Sequence, residues 1–191
     1  MLERRTPFDS IREGQARRGP AIERLDLRVA PAHEKGLLLL QSASVTPLQE
    51  TLSQVLGLAL PAAQQAKVLG DYALLWLAPT EWLLELPADE TDPVELTLTH
   101  RLGSSLTVVT DFSDALVSFE LNGLGAPETL MTGCSIDLRP HAFPASRVVR
   151  TALAGVPAIL WNPGNPDRFR CFVDRGFAEH FLIWLEGTTP P

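Results

Sequence analysis

From Ile22 to Val29 apolar and charged residues alternate with a period close to two (Ile22, Glu23, Arg24, Leu25, Asp26, Leu27, Arg28, Val29), the spacing of a strand with one wet face. Gly36 to Gln41 is instead a continuous apolar run, which predicts a buried strand. The period then lengthens: Leu48, Leu52, Val55 and Leu56 recur at helical spacing, with Thr46 as the expected cap, Pro47 in the first position and Gly57 as the stop. Residues 68–77 and 81–86 read as strands joined across Ala78-Pro79-Thr80 in a hairpin, and Asp92 to Leu102 as a helix ended by Gly103. Residues 105–110 and 115–122 read as a further strand pair. In the second of them Ala115, Val117, Phe119 and Leu121 point one way, and Leu116, Ser118, Glu120 and Asn122 the other. A helix over 127–133, strands over 147–153, 157–161 and 168–173, and a last helix with Phe177, Phe181, Trp184 and Leu185 on one stripe complete the pattern.

The two halves of this pattern repeat. A helix, a hairpin holding "LLWLAPTEWLLEL" and a helix answer a helix, a hairpin holding "AILWNPGNPDRFRCFV" and a helix, with Trp76 and Trp161 at matching places. Antiparallel hairpins interleaved with helices give an α+β fold built from a duplicated unit. The expected organisation is an extended N-terminal arm over 1–20, a domain over 21–187 with halves of roughly 21–104 and 105–187, and a tail over 188–191.

At 191 residues the chain can bury a substantial core, and its hydrophobic fraction of 45% fits one. The charge is uneven. Seven arginines against five acids in residues 1–28 leave +2 there and −9 over the rest of a chain whose net charge is −7, so an acidic body repels phosphates and argues against nucleic acid. The longest pure leucine run, Leu37 to Leu40, falls far short of the ~20 apolar residues a spanning helix needs. The first residues lack the apolar core of a signal peptide, so the expected location is the cytoplasm, where two cysteines remain reduced thiols.

The densest concentration of reactive side chains is "MTGCSIDLRPHAFP". Cys134, Asp137 and His141 include side chains that bind zinc, but Arg139 stands among them, resists a dication and can pair with Asp137, so the reading is a helix-ending turn braced by Asp137 and Arg139. "ELNGLGAPE" places Gly123 and Gly125 between a strand and a helix, as a dinucleotide loop requires, yet Glu128 occupies the third glycine's position. Asp111 and Asp114, flanking Phe112-Ser113, fit turn hydrogen bonds better than acid–base work. Cys171 shares a strand face with Phe169 and Val173 and reads as buried and inert, while His33, His100 and His180 are scattered without a catalytic motif.

Four stretches in order, "WLAPTEWLL" at 76–84, "VTDFSDALVSFELNG" at 109–123, "LMTGCSIDLRPHAFP" at 130–144 and "FAEHFLIWL" at 177–185, resemble the gamma subunit of heterotetrameric sarcosine oxidase. That resemblance implies a fold related to the folate-binding aminomethyltransferase of the glycine cleavage system. It implies a non-catalytic structural role in a complex that demethylates sarcosine to glycine, hydrogen peroxide and a one-carbon unit for tetrahydrofolate. The expected partners are the alpha, beta and delta subunits, chiefly alpha. FAD, FMN and NAD belong to alpha and beta and zinc to delta, with no cofactor or metal bound by this chain and no activity from it alone. Family members often carry Asp-Leu-His-Pro where this chain has Asp137-Leu138-Arg139-Pro140 followed by His141. A different reading, a free-standing folate-binding protein of the aminomethyltransferase type, places Asp111 or Glu120 beside a pterin.

Overall fold

The computed structural model describes residues 22–23, 25–31 and 35–188; the expected arm over 1–20, His33 and residues 189–191 of the tail lie outside them. Among the described residues eleven strands form two antiparallel sheets. The five-stranded sheet is built from β3 (Lys35–Ser42), β4 (Ala66–Leu69), β5 (Tyr72–Ala78), β6 (Glu81–Pro87) and β7 (Thr107–Asp111) in the order β4-β5-β6-β3-β7. The six-stranded sheet takes β1 (Ile22–Glu23), β2 (Arg28–Pro31), β8 (Leu116–Asn122), β9 (Val148–Leu153), β10 (Val156–Trp161) and β11 (Arg168–Asp174) in the order β1-β2-β8-β11-β10-β9. Helices α1 (Val45–Leu56) and α2 (Thr91–Leu102) connect strands of the first sheet. Helix α3 (Ala126–Met131) connects β8 to β9 in the second, and α4 (Ala178–Thr188) follows its strand β11.

Three apolar clusters account for the layering. Leu38, Leu40, Leu74, Leu84 and Leu86 meet Leu48 and Leu52 of α1 and Val94, Leu98 and Leu102 of α2. Val117, Phe119, Leu121, Leu160, Phe169, Cys171 and Val173 meet Leu130 of α3 and Phe181, Leu182 and Leu185 of α4. Between the sheets lie the residues of opposite parity: Leu37, Leu39, Leu75, Leu77 and Leu83 against Val148, Ile159, Trp161 and Phe172. The sheets thus pack face to face with a helical layer outside each, and the α+β class and its duplication hold. The strand orders correspond position for position, β7, β3, β6, β5, β4 matching β2, β8, β11, β10, β9.

The sheets divide the chain differently from an even split at 104/105. β7 does not pair with β8: it joins β3 (Leu40↔Val109), while β8 lies between β2 and β11. The place that a strand following α4 would fill is taken by β2, from the other end of the chain. Other local expectations are also corrected. Residues 22–29 fold back as two short strands with Ile22 opposite Val29, because Leu25 turns out into solvent. Residues 68–77 break into β4 and β5 at Gly70, whose φ is +59°. Ser44, not Thr46, precedes α1. Trp76 faces the helices whereas Trp161 faces the other sheet, so the two tryptophans occupy corresponding strands but opposite faces. Phe177 sits in a 3-10 turn and is exposed; Ala178 and Leu182 complete the buried stripe of α4 instead.

Among the described residues, the inter-sheet layer contains a deeply buried ion pair. Arg170 of β11 donates from Nη2 to Glu85 Oε2 of β6 at 2.6 Å and to Ser118 Oγ at 2.9 Å, and from Nη1 to Glu120 Oε1 at 3.0 Å. The Glu85 and Arg170 side chains are 4% and 6% exposed. Burial pushes the Glu85 carboxyl above its ordinary value, with Arg170 and then Lys35 pulling back against it. At the opposite end of β6, Glu81 accepts from Arg150 of β9 at 2.6 Å and from Gln41 at 3.0 Å, a second and more exposed link between the sheets.

Removing only one member of the buried pair strands the other charge. Arg170→Met is expected to cost roughly 3–5 kcal/mol in urea unfolding, and adding Glu85→Leu to it to recover at least about 2 kcal/mol. The raised Glu85 value fixes a pH effect. The unfolded chain releases this proton first, so stability falls as pH rises from the ordinary glutamate range through the folded value. Urea midpoints between about pH 4 and about pH 7 are therefore expected to show Glu85→Gln gaining on the wild type as pH rises. A constant difference would remove Glu85 as the cause.

Candidate functional site

The turn-rich stretch after α3 is anchored rather than open. Leu138 and Phe143 are buried in the core beneath α3 and α4, with Cys134 and Ile136 packed beside them. Gly133 is required by close approach, since a Cβ there would lie 2.4 Å from the Trp184 ring; its carbonyl accepts from Ala154 N at 2.9 Å. Asp137 Oδ1 accepts from the Arg139 backbone N–H at 3.0 Å and from Nε at 2.8 Å, and Oδ2 from Nη2 at 2.6 Å. The guanidinium holds the Asp137 carboxyl well below the usual carboxylate range. His141 Nε2 lies 3.6 Å from the same carboxylate.

The two thiols are held back. Burial raises Cys134, whose Sγ lies 3.9 Å from the Ile136 carbonyl oxygen. Burial raises Cys171 further, inside the core. A nucleophilic cysteine needs the reverse shift. Among the described residues no three His, Cys, Asp or Glu side chains gather at metal-binding distance.

The glycine turn before α3 is filled by protein. Gly125 N donates to the Asp26 carbonyl at 3.0 Å, and a Cβ on Gly123 (φ +125°) would lie 2.1 Å from that oxygen. The glycines therefore admit the turn that leads into β2. A shallow cleft of about 290 Å³ beside it is lined by Asp26, Leu124, Glu128, Thr132 and Thr188, and its two carboxylates disfavour a phosphate.

Asp111 and Glu120 are not brought together. Asp111 ends β7 opposite Leu38, so it lies on the helix-facing side of its sheet, where its Oδ1 accepts from Ser113 N at 2.8 Å. Glu120 faces the inter-sheet layer and accepts from Arg168 at 3.2 Å as well as from Arg170. A pterin ring needs an uncommitted carboxylate facing its N–H groups, and Glu120 is already engaged by two guanidiniums. Asp114 pairs with Arg175 at 2.9 Å, and His180 Nε2 lies 3.0 Å from the Ala154 carbonyl oxygen.

Sequence reading placed Arg170 on the strand face opposite Phe169, Cys171 and Val173 but singled out neither Glu85 nor the pairing of the two. The signal was present, since each is the charged residue inside an otherwise apolar strand, "WLLEL" and "FRCFV", but a residue-by-residue search for chemistry has no means to pair positions 85 apart. The ion pairs of Arg170, Arg150, Arg139 and Arg175 tie the two sheets and their loops in place.

The relatives agree with this geometry. A profile of the family described as "Sarcosine oxidase, gamma subunit family" matches residues 42–190. The sarcosine oxidase subunit gamma of Corynebacterium sp. (strain U-96) is 37% identical over 138 residues, 70% of this chain and 65% of its own length. That of an Arthrobacter species is 31% identical over 188 residues, covering 95% of this chain and 88% of the relative. Among solved structures, a chain of the heterotetrameric sarcosine oxidase from Corynebacterium sp. U-96 in complex with pyrrole 2-carboxylate superposes with a TM-score of 0.83 at 26% identity, over 97% of this chain and 94% of that one. The glycine cleavage system aminomethyltransferase T from Bartonella henselae shares the fold, with a TM-score of 0.65 at 17% identity over 86% of this chain and 46% of the enzyme. Span, identity and fold converge, and the chain belongs to the sarcosine oxidase gamma subunit family.

Proposed function

We propose that the chain is a non-catalytic structural subunit of a heterotetrameric sarcosine oxidase, in which it binds chiefly the large alpha subunit beside beta and delta. Residues 21–187 act as one aminomethyltransferase-like unit. The complex oxidatively demethylates sarcosine to glycine, releasing hydrogen peroxide and a one-carbon unit for tetrahydrofolate, with FAD, FMN, NAD and zinc held by the other subunits in the cytoplasm. The observation that carries this reading is the match to a chain of a heterotetrameric sarcosine oxidase over nearly the whole of both chains. The side-chain chemistry supports it. Asp137, Glu120, Glu85 and Asp114 accept from guanidiniums, and burial holds both thiols in their neutral form.

The test is a tagged pull-down from the native host, followed by size exclusion with absorbance at flavin wavelengths and mass spectrometry of co-eluting chains. Co-elution with a yellow, multi-subunit amine oxidase is expected. A chain that elutes alone and turns over sarcosine, or carries stoichiometric flavin, overturns the reading. In the assembled complex Cys134→Ala is expected to leave sarcosine turnover within about twofold, a barrier change below roughly 0.5 kcal/mol. A hundredfold loss without disassembly assigns Cys134 a chemical role.

A further inference from the structure

The four sheet edges are managed unequally. β4 and β9 meet at one corner, where Ala66 N donates to Ser146 O at 2.8 Å and Val148 N to Gln64 O at 2.9 Å, and these edges carry Lys67 and Arg150. The outer edge of β2 is covered by β1. The outer edge of β7, the strand that corresponds to β2 in the sister sheet, pairs with nothing among the described residues. Free edges are ordinarily blunted by lysine, proline, a bulge or a covering element. The segment "LTVVTD" from Leu106 to Asp111 has none of the residue devices, and Leu106 and Val108 are 76% and 57% exposed.

The register tells which backbone groups are uncommitted. Phe112 N donates to Leu37 O and Ala43 N to Leu106 O, and Leu38 stands opposite Asp111. In an antiparallel ladder hydrogen-bonded pairs alternate, so Val108 and Thr110 bond to β3 while the N–H and C=O groups of Thr107, Val109 and Asp111 point outward. We propose that this edge binds a partner by strand addition. The occupant is an extended segment of the large partner subunit, lying antiparallel outside β7 as β1 lies outside β2, with apolar residues over Leu106 and Val108. It carries a basic residue near Asp111, the charge that an acidic chain body selects. The proposal rests on reading the chain as a subunit.

Hydrogen exchange of the intact complex, resolved to single amides, tests it directly. The amides of Thr107, Val109 and Asp111 are expected to be as slow as those of Val108 and Thr110, protected by at least ~100-fold over an open edge. Fast exchange at 107, 109 and 111 alternating with slow exchange at 108 and 110 overturns the proposal. So does protection caused by a second copy of this chain, which cross-linking across β7 reveals. Val108→Lys with Thr110→Lys, both at exposed positions, is expected to keep Tm within about 3 °C yet reduce capture of the large subunit at least tenfold, whereas Val68→Lys on β4 retains it. Undiminished capture by the Val108/Thr110 variant overturns the edge and leaves the subunit reading standing. If the wild-type chain captures no large subunit, both fall.

Discussion

The contact between two sheets constrains every other part of this molecule. A sheet with helices on one face and water on the other needs apolar residues at alternate positions only. Here the second face is also covered, so the central strands must be apolar at both parities. β3 supplies Leu38 and Leu40 to the helices and Leu37 and Leu39 to the opposing sheet, and β6 divides Leu84 and Leu86 from Leu83 in the same way. The run "GLLLLQ" and the stretch "LLWLAPTEWLLEL" are the sequence form of that demand.

A layer sealed on both sides makes polar groups within it costly, which gives the Glu85–Arg170 pair its weight. The apolar residues around it, Leu37, Leu83, Trp161 and Phe172, attract without direction. A charge pair at 2.6 Å with Ser118 and Glu120 as further acceptors admits few other placements of β6 against β11. The pair thus gives the two halves a directional contact that apolar packing alone lacks. The duplication is visible in the same terms: the sheets match strand for strand, yet β2 closes the second from the N-terminal side of the chain. The two halves are consequently stitched together at β2, at the corner of β4 and β9, and across the ion pairs.

The candidate site illustrates how a dense set of reactive residue types can be structural. In "GCSIDLRPHAFP" the apolar members, Leu138 and Phe143, fix the loop to the core. The polar ones are then spent locally, Asp137 on the backbone and side chain of a residue two positions away. The turn was legible because Asp and Arg at that spacing satisfy each other without help from elsewhere in the chain. The same local logic read Asp111 as a turn residue, whose carboxylate receives the Ser113 N–H. It could not read Glu120, because Arg168 and Arg170 arrive from a strand far along the sequence.

What the sequence by itself determined were the features set by neighbours a few residues apart. The helices came from a 3.6-residue period, the β5–β6 and β10–β11 hairpins from runs of apolar residues around turn formers, and the α+β class and its repeat from their order. Tertiary structure alone decided which strands share a sheet, for residues 107–111 and 116–122 are close in sequence and belong to different layers. It also decided which face of each strand meets which layer, so that Trp76 and Trp161 point oppositely. The physical reason is common to both. Pairing and facing depend on long-range burial, and a strand apolar at every position carries no internal mark of which neighbour it will have.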